Sequence, residues 1–307
     1  MKKKKLTNSE EIAKLYTDTY RTRMPLYNDY VFHRIYGSDT EESKAALIGL
    51  LNIILERKDD PIRRLEIKNP IDIGDWILDK DTTMDIKAET DSGELLTIEM
   101  QVSHLTDYRC RILFYGGRLV NSALQVGENY DRMKKSIVIS ITKGRLFPSL
   151  EDSHNIFEVR DRKRGLLLCD RLELHFLELS KIDDQKPVHA LTEIERLGAY
   201  LKFANIENRQ DYVKQILTME DIDMTENAYR KVTEDELEYE RRESRFRYQL
   251  QRNTELYVAR NEGEAIGLKK GAAQEKREIA KSMIKEGIAK EIIKKVTGLS
   301  AEEVEEL

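Results

Sequence analysis

Apolar and polar positions alternate over two neighbouring segments, 83–90 (TMDIKAET) and 95–102 (LLTIEMQV), and the link between them, DSGE, is a turn sequence. Alternation with period two predicts two half-buried strands, with Gly93 free to take a positive φ in the turn. A helical period appears upstream in TEESKAALIGLLNIILER, 40–57, where Leu47, Leu50, Leu51, Ile54 and Leu55 form a stripe, Thr40 can cap the start and DDP at 59–61 can stop it. IRRLEIKNP, 62–70, reads as a strand, and DYRCRILFYGGRLVNSALQ, 107–125, as a helix despite its paired glycines. KSIVISIT, 135–142, is short, β-branched and apolar throughout, as a buried central strand should be, and RLELHFLEL, 171–179, alternates again. From 40 to 142 the order is α-β-β-β-α-β, which predicts an α/β domain built on one mixed sheet.

The flanks are helical in pattern. Residues 8–22 predict a short amphipathic helix, and an aromatic-rich stretch, 24–39, ends near Gly37. From about 190 the chain reads as helix, with dense mixed charge over 233–260 and glycines at 263, 267 and 271 on one helical face. Surrounded by charge, those glycines fit a flexible or kinked helix at least as well as a packing face. IAKEIIKKVTGLSAEEVEEL predicts two helices split at Gly298, the second capped by Ser300 and Glu303. The pair resembles a helix-turn-helix, but SAEEVEEL is acidic and a poor reader of the major groove, which favours a packing or oligomerisation element. The expected division is a core over 1–185 and a helical C-terminal region over 186–307.

Charge and cysteine usage narrow the function classes. Charged residues make up 36% of the 307, yet the net charge is −5, so any affinity for nucleic acid must come from a local basic surface. Cys110 and Cys169 sit in no metal-ligand or disulfide spacing, which fits a reducing compartment. The basic tip MKKKKLTNSEEIAK lacks an apolar segment behind it, and no apolar run approaches membrane-spanning length. A soluble, cytoplasmic protein without membrane contact is expected.

The polar side of the strand pair carries the candidate chemistry. Met84, Ile86 and Ala88 share one face with Leu96, Ile98 and Met100, because both apolar faces must cover the core helix. Asp85, Glu99 and Gln101 then fall together on the other. Two carboxylates on neighbouring strands make a hard-oxygen site suited to Mg²⁺ or Mn²⁺, and such an ion can polarise a phosphodiester and activate water. The same pattern also fits an ordinary exposed hairpin face. Lys87, on the same side as Asp85, can contact a phosphate. Arg109 and Arg111 open the following helix and Arg118 lies two turns beyond Arg111, so the helix offers either a phosphate-binding face or ion pairs to the hairpin acids. Tyr108 and Tyr115, at i and i+7, read as core.

The motif MDIKAETDSGELLTIEMQ, set within α-β-β-β-α-β, resembles the PD-(D/E)XK nuclease superfamily and, more closely, its Rpn family of recombination-promoting nucleases, also described as transposases. NDYVFHRIYGS, KAALIGLLNIIL and YRCRILFYGGRL are similar to that family's N-terminal segment, first helix and Arg-x-x-x-Tyr helix, and the glycine-spaced tail resembles its tail. The resemblance implies a restriction-endonuclease-like fold and a metal-dependent DNA endonuclease, with Asp85 and Glu99 as metal ligands and DNA as partner. Gln101 stands where the wider superfamily has Lys; a neutral amide orients water and does not supply charge. Asp29 matches the first acidic residue of the N-terminal segment and is either a third carboxylate near the metal or a helix-start residue. His33 stands where the family has Lys, and no Pro precedes Asp85. The rival expectation is a nuclease-fold scaffold that acts through self-association or partner binding by its helical tail.

Overall fold

The structure, a computed structural model, describes residue 16 and residues 23–68, 86–102, 107–125, 127–217, 220–232, 234, 236–239, 241, 260, 263, 267 and 270–307. The chain forms two compact units, Met1–Tyr239 and Glu240–Leu307. The helix expected over 8–22 falls outside the described residues except for Tyr16. Asp85 and Trp76 also lie outside them.

The first unit is built on a six-stranded mixed sheet with helices on both faces. In chain order come α1 (Asp29–Tyr36), α2 (Glu41–Ile54), β1 (Leu65–Lys68), β2 (Ile86–Thr90), β3 (Leu95–Gln101), α3 (Tyr108–Ser122), β4 (Ser136–Thr142), β5 (His154–Glu158), β6 (Leu172–Glu178), α4 (Glu193–Phe203), α5 (Gln210–Ile216) and α6 (Glu220–Tyr229). The strand order across the sheet is β1-β2-β3-β4-β6-β5. β3, β4 and β6 run parallel, with antiparallel pairs β1–β2, β2–β3 and β5–β6 outside them. The expected α-β-β-β-α-β order is α2 through β4. β4 is buried at every position, as a strand between two parallel neighbours and two covered faces must be.

Local chemistry places the ends as the sequence expects. Thr40 Oγ1 accepts from the Ser43 backbone N–H at 3.2 Å, and Gly93 takes φ +85° in the β2–β3 turn. α2, however, ends at Ile54 rather than at DDP, because Glu56 turns the backbone to φ +53° before that sequence is reached. β5 was not expected at all. It is an edge strand whose positions range from half-buried to exposed, so no alternation marks it.

The main core lies on one face of the sheet. Ile86, Ala88, Leu96, Ile98, Ile137, Ile139 and Ile141 pack with Leu47, Leu50, Leu51 and Ile54 of α2. Leu197, Tyr200 and Leu201 of α4, Val213 and Ile216 of α5, and Ile222 of α6 belong to the same core. The boundary expected after residue 185 therefore falls inside this unit: helices over 193–229 cover the sheet and do not stand apart as a tail. A buried ion pair ties them in. Arg23 donates twice to Glu226, at 2.6 and 2.9 Å, and Tyr200 donates to the same carboxylate at 2.7 Å. Removing one partner of such a pair costs about 3–5 kcal/mol, because the other charge stays buried alone.

The opposite face is covered by α3. Tyr108, Ile112 and Tyr115 pack on Val138 of β4 and on Leu174 and Phe176 of β6. The paired glycines of α3 have different surroundings. A Cβ on Gly116 would stand 2.9 Å from Leu174 Cδ2 and 3.2 Å from Leu172 Cδ1, whereas one on Gly117 would meet nothing within 4 Å.

The second unit is described over the helical residues 270–285, then α8 (Lys290–Thr297) and α9 (Ala301–Glu305), with 270–285 as α7. Gly298 caps α8 at φ +70°, and Ser300 with Glu303 forms the expected capping box of α9. Ala280, Ile293 and Val304 bury one face of each helix against the others. Gly263, Gly267 and Gly271 are helical with open space around each, so they form no packing face among the described residues. No helix among the described residues is long and apolar enough to cross a membrane.

β5 and β6 also bring two imidazoles together. His154 Nε2 and His175 Nδ1 share a hydrogen bond of 3.1 Å, and His175 Nε2 lies 3.3 Å from Glu173 Oε2. Burial, and then the proximity of His175, lower the His154 pKa to about 4. The hydrogen bond from His175, then Lys135, hold Glu173 at about 2 against the cost of its burial.

Two predictions follow from this packing. Gly116→Val should destabilise the protein by about 1–3 kcal/mol through overpacking on β6, while Gly117→Ala should stabilise it by up to about 1 kcal/mol through helix propensity; urea titration checks both. His154 is kept neutral by the fold, so the unfolded chain takes up its proton first, near the usual histidine value, and the folded chain only near 4. Stability should therefore fall as the pH drops from about 6.5 to about 4, a loss that His154→Gln removes. The contribution of Glu173 is lost at lower pH, from the usual glutamate value down to about 2, and persists in that variant. An unchanged slope between pH 6.5 and 4 in His154→Gln would contradict this.

Candidate active site

The register fixes where the polar residues of the strand pair stand. Ile86 pairs with Ile98, Lys87 with Thr97 and Ala88 with Leu96. Ile86, Ala88, Leu96 and Ile98 thus share the core face, and Lys87, Thr97, Glu99 and Gln101 share the other. On the parallel side Glu99 is level with Ser140, and Gln101 with Thr142.

That polar face is not a solvated one. α3 crosses it, and Glu99 is only 5% exposed, level with buried residues of the core. Tyr108, at the start of α3, shares a 2.7 Å hydrogen bond with Ser140 Oγ beside the carboxylate. One helical turn on, Arg111 reaches back toward the strand. Its Nη2 donates to Glu99 Oε1 and, at 2.8 Å, to Gln101 Oε1. The guanidinium also lies against the rings of Tyr108 and Tyr115, at 5.1 and 5.8 Å.

Electrostatics in this pocket work against the carboxylate. Burial pushes the Glu99 pKa up; Arg111 and a hydrogen bond from Tyr108 pull it down without cancelling the rise, and the charge of Asp29 adds to the rise. The second carboxylate oxygen, Oε2, is buried and has no hydrogen-bond partner among the described residues. A buried anionic oxygen without a donor is costly, typically by about 1–3 kcal/mol or more. It is also the oxygen a hard cation would take.

The remaining expected residues are distributed as follows. Asp85 directly precedes Ile86, the partner of Ile98, but lies outside the described residues. Asp29 is the first residue of α1. Asn28 fills the cap, accepting from the Val31 N–H at 3.0 Å, and leaves Asp29 exposed and within electrostatic reach of Glu99. Lys87 shares the face of Glu99, level with Thr97. Arg109 is exposed, with its guanidinium 5.7 Å from the centre of the Phe147 ring, and that of Arg118 lies 5.4 Å from the centre of the Phe114 ring. Of the three arginines, Arg111 is the one the structure joins to Glu99 and Gln101. Among the described residues no group of three or more His, Cys, Asp or Glu is arranged to hold a metal, and Asp85 is not in that set.

Sequence reasoning missed Tyr108 and Ser140 as neighbours of the site. Tyr108 is core, as its spacing suggests, but its hydroxyl is directed at the polar end of β4. The available signal was the serine within the apolar run SIVISIT.

Comparison with family models follows the same lines. The model of the PD-(D/E)XK nuclease family transposase matches residues 26–259, most of the chain. The chain belongs to this family. A second model, the Rpn/YhgA-like nuclease family C-terminal HTH domain, matches residues 273–307. The resemblance to the Rpn branch and to its nuclease fold is thereby borne out. The reading of the last helices as a packing or oligomerisation element, and not a helix-turn-helix, is corrected in this respect: they match the model of that C-terminal HTH domain. The acidity of α9 misled, because the motif is defined by three helices closing on Ala280, Ile293 and Val304, not by the charge on one of them. No curated protein and no solved structure matches the chain.

A raised carboxyl pKa means that the fold disfavours the ionised form. Above that pKa the charge of Glu99 therefore costs stability. In metal-free protein at neutral pH, Glu99→Gln, which keeps an acceptor for Arg111, should melt at a higher temperature than the parent. A lower melting temperature, read by circular dichroism, would show that the Arg111 pair more than offsets the burial.

Proposed function

We propose that this family member is a divalent-metal-dependent DNA endonuclease that hydrolyses phosphodiester bonds. The observation that carries the proposal is the buried Oε2 of Glu99, which has no hydrogen-bond partner among the described residues, on a carboxylate the fold retains at a cost in stability. Glu99 and Asp85 would hold Mg²⁺ or Mn²⁺, with Asp29 as a third carboxylate in electrostatic reach. The ion, when bound, supplies a Lewis acid and a water of lowered pKa. Gln101 orients the attacking water through its amide, and Tyr108 and Ser140 keep the inner end of the site in place. Lys87, Arg109 and Arg118 give the local positive charge that the chain as a whole lacks. The C-terminal helix-turn-helix domain supports DNA as the partner, and self-association through these helices is part of the proposal. Cleavage with strand transfer, as in transposition or recombination, uses the same site. The exposed thiols of Cys110 and Cys169 suit a cytoplasmic setting.

A second reading rests on Arg111, which neutralises Glu99 without any metal: the nuclease fold as a scaffold that acts through its tail. One assay separates the two. Full-length protein should nick supercoiled plasmid in Mg²⁺, and Asp85→Ala and Glu99→Ala should each abolish nicking while keeping the parent's circular dichroism spectrum. Equal nicking by those variants, or none by the parent, would remove the nuclease reading.

A further inference from the structure

Arg111 is joined to both polar residues of β3 at once. Its Nη2 bridges Glu99 Oε1 and Gln101 Oε1. Arginine carries only donors, so the bridge dictates which end of the Gln101 amide faces it: the oxygen turns to the guanidinium and the NH₂ group to the other side. Charge follows the same geometry. A carboxylate at 5% exposure needs a counter-cation, and among the described residues Arg111 is the one paired with it. The Arg111 side chain is 23% exposed and that of Glu99 6%, so the cation lies on the solvent side of the carboxylate. A guanidinium and a divalent ion compete for the charge of one carboxylate, and among the described residues Oε2 is the oxygen without a hydrogen-bond partner.

We propose that Arg111 is a placeholder cation and a positioning residue. It neutralises Glu99 in the metal-free protein, gives up Glu99 to an incoming divalent ion, and remains on Gln101 to hold the amide in its water-orienting direction. This restores beside the strand the positive charge that Gln101 itself does not carry. The inference rests on the metal-site reading of Glu99.

The test is calorimetric titration of Mn²⁺ into full-length protein, with plasmid nicking as a second readout. Arg111→Gln removes the competing cation, so Mn²⁺ should bind about tenfold tighter, the scale of one charge-assisted hydrogen bond. The same variant should lose kcat with KM for plasmid little changed, since Gln101 is no longer held. Arg111→Lys keeps the charge but not the planar fork, so its Mn²⁺ affinity should stay near the parent's while kcat falls. A purely structural arginine would give weaker or unchanged Mn²⁺ binding in Arg111→Gln, which overturns the inference alone. Should Arg111→Gln fail to fold by circular dichroism, Arg111→Lys decides: parental kcat overturns the inference. A parent that binds no Mn²⁺ overturns it together with the metal-site reading.

Discussion

The site depends on one constraint: a carboxylate has been placed between a sheet and a helix. β3 is covered on both faces, by α2 and its neighbours on one side and by α3 on the other, so Glu99 cannot turn to water. Burial of an anion makes a partner necessary, and α3 supplies one from its second turn. The rest follows from the same arrangement. Tyr108 must find an acceptor or donor in the interior and takes Ser140; Gln101, two residues beyond Glu99, is drawn onto the same guanidinium. Gly116 lets α3 lie close to β6, where a Cβ would meet Leu174 and Leu172.

The satisfaction is incomplete. The backbone N–H groups of Leu146 and Phe147 donate to Glu178, another fully buried carboxylate on the same face, and Lys181 pairs with it. Glu99 keeps one oxygen without a donor among the described residues. Oε2 of Glu178 likewise has no hydrogen-bond partner among the described residues, so incomplete satisfaction is shared by two buried carboxylates of this face; what separates them is that Lys181 pairs with Oε2 of Glu178, whereas Arg111 pairs with Oε1 of Glu99.

Much of this was legible in the sequence. Period-two alternation over 83–102 put Glu99 and Gln101 on one face, and the turn at Gly93, the cap at Thr40 and the all-apolar β4 were each written in local chemistry. What the sequence concealed depends on tertiary placement. Alternation says which residues share a face but not what covers it, so a face read as either solvated or active is in fact buried under α3. The choice of Arg111 over Arg109 and Arg118 depends on helix phase and on the aromatic rings each meets. β5 is too exposed to carry a pattern, and the helices over 193–229, read as the start of a tail, close the core because their apolar stripes match the sheet. The last helices show the opposite error: their helix-turn-helix likeness is visible in the sequence, and the acidity of α9 argues against it although the HTH model matches there.

The proposed function turns on Glu99 Oε2 standing open for a divalent ion. Crystals of the full chain grown in Mn²⁺ and measured for manganese anomalous scattering test it directly. A peak is expected within bonding distance of Glu99 Oε2, with the Arg111 guanidinium no longer bonded to Glu99. A site without manganese, with Arg111 still on Glu99 at saturating ion, would contradict it.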